Sequence, residues 1–311
     1  MKIDIVIPNY NGSDLLQKNI PKVLNVFKNR NDTKIIIVDD ASSEIEKEKL
    51  KAVFERLNSK KIILLENEKN YGFSTTVNKG VAASDADLVV LLNSDAVPED
   101  DFLTPVLKSF HENNKLFAVG CMDKSLEGDN VVLRGRGVAQ WKNGFVRHKR
   151  GDINSSFTFW VSGGSSVIRR DIFEKLGGFD ELFNPFYWED IDLSYRAQKA
   201  GYEILFERES VVTHIHSEGA IKKNFSKKFV KKIAFRNELL FIWKNIQDKR
   251  YLLAHIFHLK KYLLINLIKG NLTIWKSTLI ALKYIPDIIA KRKTQNKLNK
   301  ISDREIFAKF K

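Results

Sequence analysis

Cysteine is nearly absent: Cys121 is the one such residue in 311. No internal disulfide can form, so a hydrophobic core has to hold the chain together. Cys121 follows the apolar run 116–120 and reads as a small core residue rather than a reactive thiol. A chain this poor in cysteine suits a reducing, cytoplasmic compartment. Also missing is any uncharged apolar run of the ~18 residues that a spanning helix needs. The first strand leads into Asn9-Tyr10-Asn11-Gly12 rather than Gly-x-Gly-x-x-Gly, which argues against a dinucleotide-binding dehydrogenase. There is no internal repeat and no nucleic-acid recognition motif. Met1-Lys2-Ile3-Asp4 runs straight into a strand, so no signal peptide is expected.

What is present is enough apolar side chain for a sizeable core, 43% of residues, and an uneven charge. The length allows one large α/β domain with an appendage, or two domains. The net charge is +14. From Gly219 to Lys311 there are 23 Lys and Arg against 5 Asp and Glu; the residues before carry 29 against 33. A near-neutral body, 1–218, is thus joined to a basic helical extension, 219–311. Such an extension suits nucleic acid, an anionic membrane surface, or simply a solvated helical face. Its aliphatic content exceeds what phosphate contact needs, so no nucleic-acid partner is expected. Tyr251 to Ile289 is apolar but broken by Lys260, Lys261, Lys269, Lys276 and Lys283. An amphipathic helix pair in a membrane interface, its lysines snorkelling, is the favoured reading over a bundle packed on the body. Lys291 to Lys300 reads as a frayed tail.

In the body, short β-branched runs alternate with helical periodicity. Strands are expected at Ile3–Pro8, Lys34–Val38, Ile62–Leu65, Asp87–Leu92 and Leu116–Met122. Helices fall between them, and Pro8 is expected to end the first strand. This alternation implies a mostly parallel sheet with flanking helices. Asn93-Ser94-Asp95 closes the apolar run Leu88–Leu92, at the strand edge where open α/β sheets bind ligands. The three residues suit either a turn into the next helix or a carboxylate cation site. Phe157 to Ile168 reads as a strand carrying the small patch Ser162-Gly163-Gly164-Ser165, a sign of close approach. Phe186-Tyr187-Trp188 precedes Glu189-Asp190 at the start of a helix. Those carboxylates serve either the helix dipole or, in an apolar setting that raises their pKa, a general base. Two strands, Glu203–Phe206 and Val211–His214, close the body.

Taken in order, these segments resemble the family 2 glycosyltransferases, inverting enzymes with a GT-A fold. The resemblance runs from Ile3 to about Asn245. It rests on Val6-Ile7-Pro8-Asn9-Tyr10-Asn11, Ile37-Val38-Asp39-Asp40-Ala41-Ser42, Asn70-Tyr71-Gly72-Phe73-Ser74, Leu92-Asn93-Ser94-Asp95, Gly177-Gly178-Phe179-Asp180-Glu181 and Trp188-Glu189-Asp190-Ile191-Asp192-Leu193. Each is weak alone; the order and spacing are strong. Arg236-Asn237 and the helical tail resemble the rhamnosyltransferase-like branch, which extends bacterial surface polysaccharides.

The resemblance implies roles for individual residues. Pro8, Tyr10, Asp40 and Asn70 would bind the nucleotide, with Asp40 accepting from the imide N–H of uracil or thymine. Asp95 would hold Mg2+ or Mn2+ against the diphosphate. Asn93 stands where the first aspartate of the usual Asp-x-Asp would be, leaving one ionised ligand and Asn93 to assist through its amide or bind the nucleotide. His214, or alternatively His216, would add a second ligand. Asp190 would be the base, with Glu189 as the alternative. Asp180 belongs to the acceptor-side signature, Tyr187 and Trp188 would stack on an acceptor sugar, and Gly163 and Gly164 would leave room for sugar. The expected donor is a UDP- or dTDP-sugar, possibly dTDP-rhamnose. The expected acceptor is a lipid-linked glycan on the inner face of the cell membrane, where the protein would sit peripherally. The rival is a non-catalytic scaffold of the same fold; retention of Asp95 and Asp190 favours an enzyme.

Overall fold

The computed structural model describes residues 1–127, 130–214 and 225–310. The first half alternates strands β1 (Ile3–Asn9), β2 (Ile35–Asp39), β3 (Ile62–Glu66) and β4 (Leu88–Leu92) with helices α1 (Ser13–Val26), α2 (Glu44–Leu57) and α3 (Phe73–Ala82). All four strands pair in parallel, in the order β3-β2-β1-β4. Side chains alternate between the two faces of a strand. Ile3, Ile5 and Ile7, with Ile35, Ile37, Leu88, Val90 and Leu92, therefore enter one core under α1. Val6, Ile36, Val38, Val89 and Leu91 enter the opposite core with Val77 and Val81 of α3.

Pro8 does not end β1; it pairs in register with Val38. The N–H of Ile5 donates towards β2, so the nitrogen of Pro8, an odd number of residues on, faces the β4 side. There the pairing with β4 has already stopped at Val6, so the missing donor costs no ladder bond.

Next come β5 (Ala96–Pro98), α4 (Leu103–Glu112), β6 (Leu116–Glu127), β7 (Asn130–Arg134), the hairpin β8 (Gly137–Lys142) and β9 (Phe145–Arg150), β10 (Ser165–Arg169), α5 (Arg170–Lys175), α6 (Glu189–Lys199) and β11 (Glu203–His214). β10 lies antiparallel between β4 and β6, and β11 runs parallel to β6 and antiparallel to β5. Several expectations shift here. Asn-Ser-Asp turns into a strand, not a helix. Ser162 to Gly164 forms the turn before β10 rather than part of it, and β11 is one strand with an irregularity between Glu207 and Val211. β6 continues five residues past Met122 because β11 and β7 pair with its polar end.

The C-terminal helices are α7 (Lys227–Asn245), α8 (Lys249–Ile268), α9 (Leu272–Leu282), α10 (Ile285–Gln295) and α11 (Asp303–Ala308). They share a third core with the body. Phe145, Phe159, Trp188 and Tyr195 pack with Leu239, Phe241, Ile288, Ile306 and Phe307. The segment read as a frayed tail is tied down. Arg292 donates to the carbonyls of Trp243 and Ile246 at 2.7 and 2.8 Å, and Ile301 N donates to Lys199 O at 3.0 Å. Beyond it, Asp303 accepts from Tyr195 Oη at 2.7 Å and pairs with Lys199 at 2.9 Å. No helix among the described residues is long and apolar enough to cross a membrane.

This anchoring has a stability signature. Phe307 is 2% exposed, stacked on Phe159 with centroids 5.5 Å apart, while Ile289 on α10 is 62% exposed. Phe307→Ala is expected to lower the unfolding free energy by about 3–5 kcal/mol, and Ile289→Ala to change it by under about 0.5 kcal/mol. Urea denaturation of the full chain reads both; equal effects would mean that the last helix does not belong to the core.

Candidate active site

The C-terminal edge of the sheet gathers most of the expected residues. β4 delivers Asn93, Ser94 and Asp95 in a tight turn, closed by Ala96 N donating to Asn93 O at 3.1 Å. Asn19 of α1 braces it, its Nδ2 donating to Ser94 O at 2.8 Å. Asp95 is buried, and its Oδ1 lies 2.8 Å from His214 Nε2. His214 reaches it from the end of β11, where it pairs with Ala96. The other ring nitrogen, Nδ1, is 3.0 Å from Asp123 Oδ2, and Asp123 Oδ1 accepts from Ser125 Oγ at 2.6 Å. Burial would lower the pKa of His214, but the bonds to Asp123 and Asp95 prevail and push it up to about 9. The pocket is therefore built around positive charge. His216 lies outside the described residues.

Asp123 was not singled out from sequence. The signal was available: like Asp95, it is a carboxylate at the C-terminal end of a central strand, the edge where such sheets bind ligands. It fixes the orientation of the His214 ring through Nδ1.

Gly163 and Gly164 connect this edge to the acid pair. A Cβ on Gly164 would lie 2.3 Å from Asn93 Nδ2, so glycine here admits the Asn93 amide. Gly164 O accepts from Asn93 N at 3.0 Å. The backbone of Gly163 hydrogen-bonds Asp190, whose Oδ1 also accepts from Ile191 N at 2.8 Å. Burial pushes Asp190 up to about 6 against these donors. Glu189 is raised well above the usual carboxylate range, first by burial and then by the Asp190 charge, and its Oε2 is buried without a hydrogen-bond partner among the described residues. Of the pair, Glu189 is pushed further towards its neutral form, and Asp190 is the carboxyl that ionises more readily.

The loop before this pair is held by α7. Asn237 Nδ2 donates to the carbonyls of Phe183, Phe186 and Tyr187 at 2.7, 3.0 and 2.8 Å. Tyr187 and Trp188 take φ of 72° and 77°, a region that bulky residues seldom occupy without such support. Tyr187 is 41% exposed and free to meet a ligand. Trp188 is not: it is buried, its ring 5.2 Å from Phe241 and 5.1 Å from His148. Asp180 is likewise structural. It accepts from Leu182 N at 3.1 Å and pairs with Lys244 at 2.6 Å and Lys291 at 3.0 Å. Burial would raise its pKa, but the Lys244 and Lys291 charges hold it well below the usual range.

The expected nucleotide residues line the neighbouring edge of β1 and β2. Asn9 Nδ2 donates to Asp39 Oδ1 at 2.7 Å, and Asn11 N to Ser42 Oγ at 2.8 Å, knitting the two loops together. Pro8 and Tyr10 are half-buried in this rim. Asp40 accepts from Asn67 Nδ2 at 2.8 Å, Tyr71 N at 2.9 Å and Gly72 N at 2.8 Å. A carboxylate offers roughly four acceptor positions, so one remains. Asn70 is exposed beside that turn.

Known proteins resemble the chain in sequence and in fold. It is 27% identical over 223 residues to the O-antigen chain rhamnosyltransferase RfbN of Salmonella typhimurium, covering 70% of this chain and 67% of that protein. It is 26% identical over 217 residues to the O-antigen chain rhamnosyltransferase WbaN of Salmonella anatum, covering 68% and 66%. It thus spans about two thirds of the length of these relatives. Among solved structures, GalNAc-T7 with UDP, GalNAc and Mn2+ superposes with a TM-score of 0.64 at 17% identity, over 81% of this chain and 49% of that one. The mannosyltransferase PcManGT from Pyrobaculum calidifontis, in complex with GDP-Man and Mn2+, gives 0.56 at 15% identity over 96% and 84%. At these identities the likeness establishes the fold, which is GT-A. The model of glycosyl transferase family 2 matches residues 4–177, more than half of the chain, and the protein belongs to that family.

Proposed function

We propose that the protein is an inverting glycosyltransferase that moves a sugar from a nucleotide-diphosphate donor to a hydroxyl of a lipid-linked glycan. The reading places the reaction on the inner face of a bacterial membrane, in surface polysaccharide synthesis. The observation that carries it is the meeting of two sets on either side of Gly163-Gly164. Asp95 and His214 form a site for positive charge, and Asp190 forms a carboxyl base poised near neutral pH.

Asp95 and the neutral form of His214 fit a divalent cation, which would take the place of the Nε2 proton. With bonds of about 2.1 Å at near right angles, two ligands of one ion lie about 3 Å apart, and Asp95 Oδ1 and His214 Nε2 are 2.8 Å apart. A carboxylate oxygen suits Mg2+ or Mn2+, and the imidazole favours Mn2+. Such an ion would neutralise the departing diphosphate. Asn93 would present its amide to the nucleotide or sugar. The remaining acceptor position of Asp40 suits the imide of uracil or thymine, which favours a UDP- or dTDP-sugar. The rhamnosyltransferase relatives add dTDP-rhamnose as a candidate.

Asp190 takes the proton of the acceptor hydroxyl. That oxygen bonds to the anomeric carbon from the face opposite the diphosphate. The carbon–oxygen bond to the diphosphate breaks with its electron pair, and the anomeric configuration inverts. Glu189, pushed towards the neutral form by burial and with its Oε2 unpartnered among the described residues, would keep a second negative charge away from the incoming oxygen.

Calorimetry of UDP, dTDP, GDP and CDP, with and without Mn2+, tests the donor site. UDP or dTDP is expected to bind only with the ion, and Asp95→Ala to abolish this. A folded wild type that binds none of the four would leave the non-catalytic scaffold standing.

A pH profile tests the base. kcat/KM is expected to rise about tenfold per pH unit below about 6 and to level off above it, as Asp190 must lose its proton to act. Asp190→Asn should remove that limb and lower kcat on the order of 10²–10⁴-fold. Glu189→Gln, which mimics the neutral acid, should keep the limb. The opposite pattern would assign the base to Glu189.

A further inference from the structure

The outer face of the α8–α9 hairpin is left over when the core and the site are accounted for. Its inner face is fully engaged. His255 is buried, its Nδ1 2.7 Å from Gly144 O and its Nε2 accepting from Trp243 Nε1 at 2.9 Å. Trp275 Nε1 donates to Leu263 O at 2.9 Å, and Ser277 Oγ donates to Lys232 O on α7 at 3.0 Å. The hairpin is thus fixed to the body through α7 and the β8–β9 turn, with Gly270 at a φ of 67° in its own turn.

The opposite face is apolar and exposed. Leu253, Phe257, Leu264 and Ile268 of α8 are 67%, 67%, 57% and 79% exposed, and Leu272 and Leu279 of α9 are 52% and 56%. Steps of four, seven and four residues keep the α8 set on one stripe at helical pitch. The gap in that stripe is filled by Lys260 and Lys261, both exposed. On α9, Lys276 sits between the leucines, and Lys283 follows the helix end; both are exposed as well. From Lys249 to Pro286 the chain has seven Lys and Arg and not one Asp or Glu.

These features select the occupant. A stripe of large apolar side chains left in water marks an interaction surface. Protein interfaces deplete lysine at their centre and use carboxylates to set pairing, whereas this face has lysine at its centre and no acid. An anionic bilayer takes both parts. Aliphatic and aromatic side chains enter the acyl boundary, and lysines turn their ammonium groups back to the lipid phosphates.

We propose that this face is a docking surface for an anionic lipid bilayer, on which α8 and α9 lie flat. Phe257, Leu264, Ile268 and Leu279 lie below the headgroups, and Lys260, Lys261 and Lys276 lie at the phosphates. The proposal deepens the lipid-linked-acceptor reading and rests on it for its purpose. Because α7 carries both the hairpin and Asn237, docking sets the height of the acceptor-side loop above the bilayer.

The test uses the full chain with phosphatidylethanolamine–phosphatidylglycerol vesicles and phosphatidylcholine vesicles. Wild type is expected to co-sediment with the anionic vesicles and to bind phosphatidylcholine at least about tenfold more weakly. The double variant Phe257→Glu/Leu264→Glu should lose about tenfold or more of the anionic binding. The pair Lys260→Glu/Lys261→Glu should lose binding and most of its salt dependence. Both variants should keep the thermal midpoint and nucleotide binding of wild type, since all four side chains are exposed and remote from the site. Wild type that ignores the anionic vesicles, or a Phe257→Glu/Leu264→Glu variant that binds them like wild type, overturns the proposal. So does a wild-type dimer that the same variant turns into a monomer while no vesicle is bound. Either failure with nucleotide binding intact removes the docking face and leaves the transferase reading in place. Vesicle binding without nucleotide binding does the reverse.

Discussion

The Lys244 ammonium is the point on which body and tail depend. Its side chain is wholly buried at the end of α7 and lies 2.6 Å from Asp180 and 2.6 Å from Asp192. Asp192 sits in the first turns of α6, two residues beyond Asp190, and also accepts from Arg196 Nε and Asn245 Nδ2 at 2.7 Å each. Arg196 passes the connection on to the carbonyls of Leu176 and Gly178. Burial pulls the Lys244 ammonium down, and the two carboxylates hold it up. Buried charges are tolerable only when paired and hydrogen-bonded on every side, and removing one partner strands the rest. The tail helix, the helix carrying the acids and the loop before them therefore form one unit.

That unit explains what the sequence could and could not show. Alternating apolar side chains made the strands β1 to β4 legible, since each face of a strand has its own core. Asn93-Ser94-Asp95 was legible because a polar triplet ending a buried strand has a known place in such sheets. His214 came from the family resemblance, with His216 as its alternative. Asp123 lay just past the end read for β6, where the same edge rule applied; what was hidden is that β6 runs on beside β11 and so brings Asp123 to His214. Only its pairing with β7 and β11 keeps it extended, and those partners lie far along the chain. The Asp123–His214 contact spans 91 residues. Lys244, and the pairing of Asp180 and Asp192 with it, were unreadable for another reason. A charge in a sequence looks solvated, and a buried cluster in which Lys244 and Arg196 balance Asp180 and Asp192 is recognised only once folded.

The acid pair shows how magnitudes choose between readings. Carboxylates in the first turn of a helix gain about 0.3–1 kcal/mol from its dipole when exposed. Burying a carboxyl oxygen without a partner costs about 1–3 kcal/mol, more than the dipole returns. Glu189 has no partner for Oε2 among the described residues, so the dipole cannot account for its position. A group kept at such a cost is a better candidate for function than for stability. The same comparison separates Trp188 from Tyr187. Side by side in the left-handed region, they point to opposite surroundings: Trp188 completes the third core, and Tyr187 is offered to solvent.

The two readings of the basic tail, a bundle packed on the body or a pair of interfacial helices, turn out not to compete. Each helix has two faces, and composition averages over them. In α8 the inner face carries His255, whose hydrogen bonds to Trp243 and Gly144 require a dry, fitted contact. Its outer face carries Phe257 and Leu264, which no described residue covers. Lysines between the exposed side chains keep the segment too polar to span a bilayer, and the lack of acids keeps it from repelling one. A helix pair with one face in the core and the other free can be attached to the catalytic body and to a surface at once. A soluble acceptor would require nothing of the kind; an acceptor confined to a membrane gains from it at every encounter.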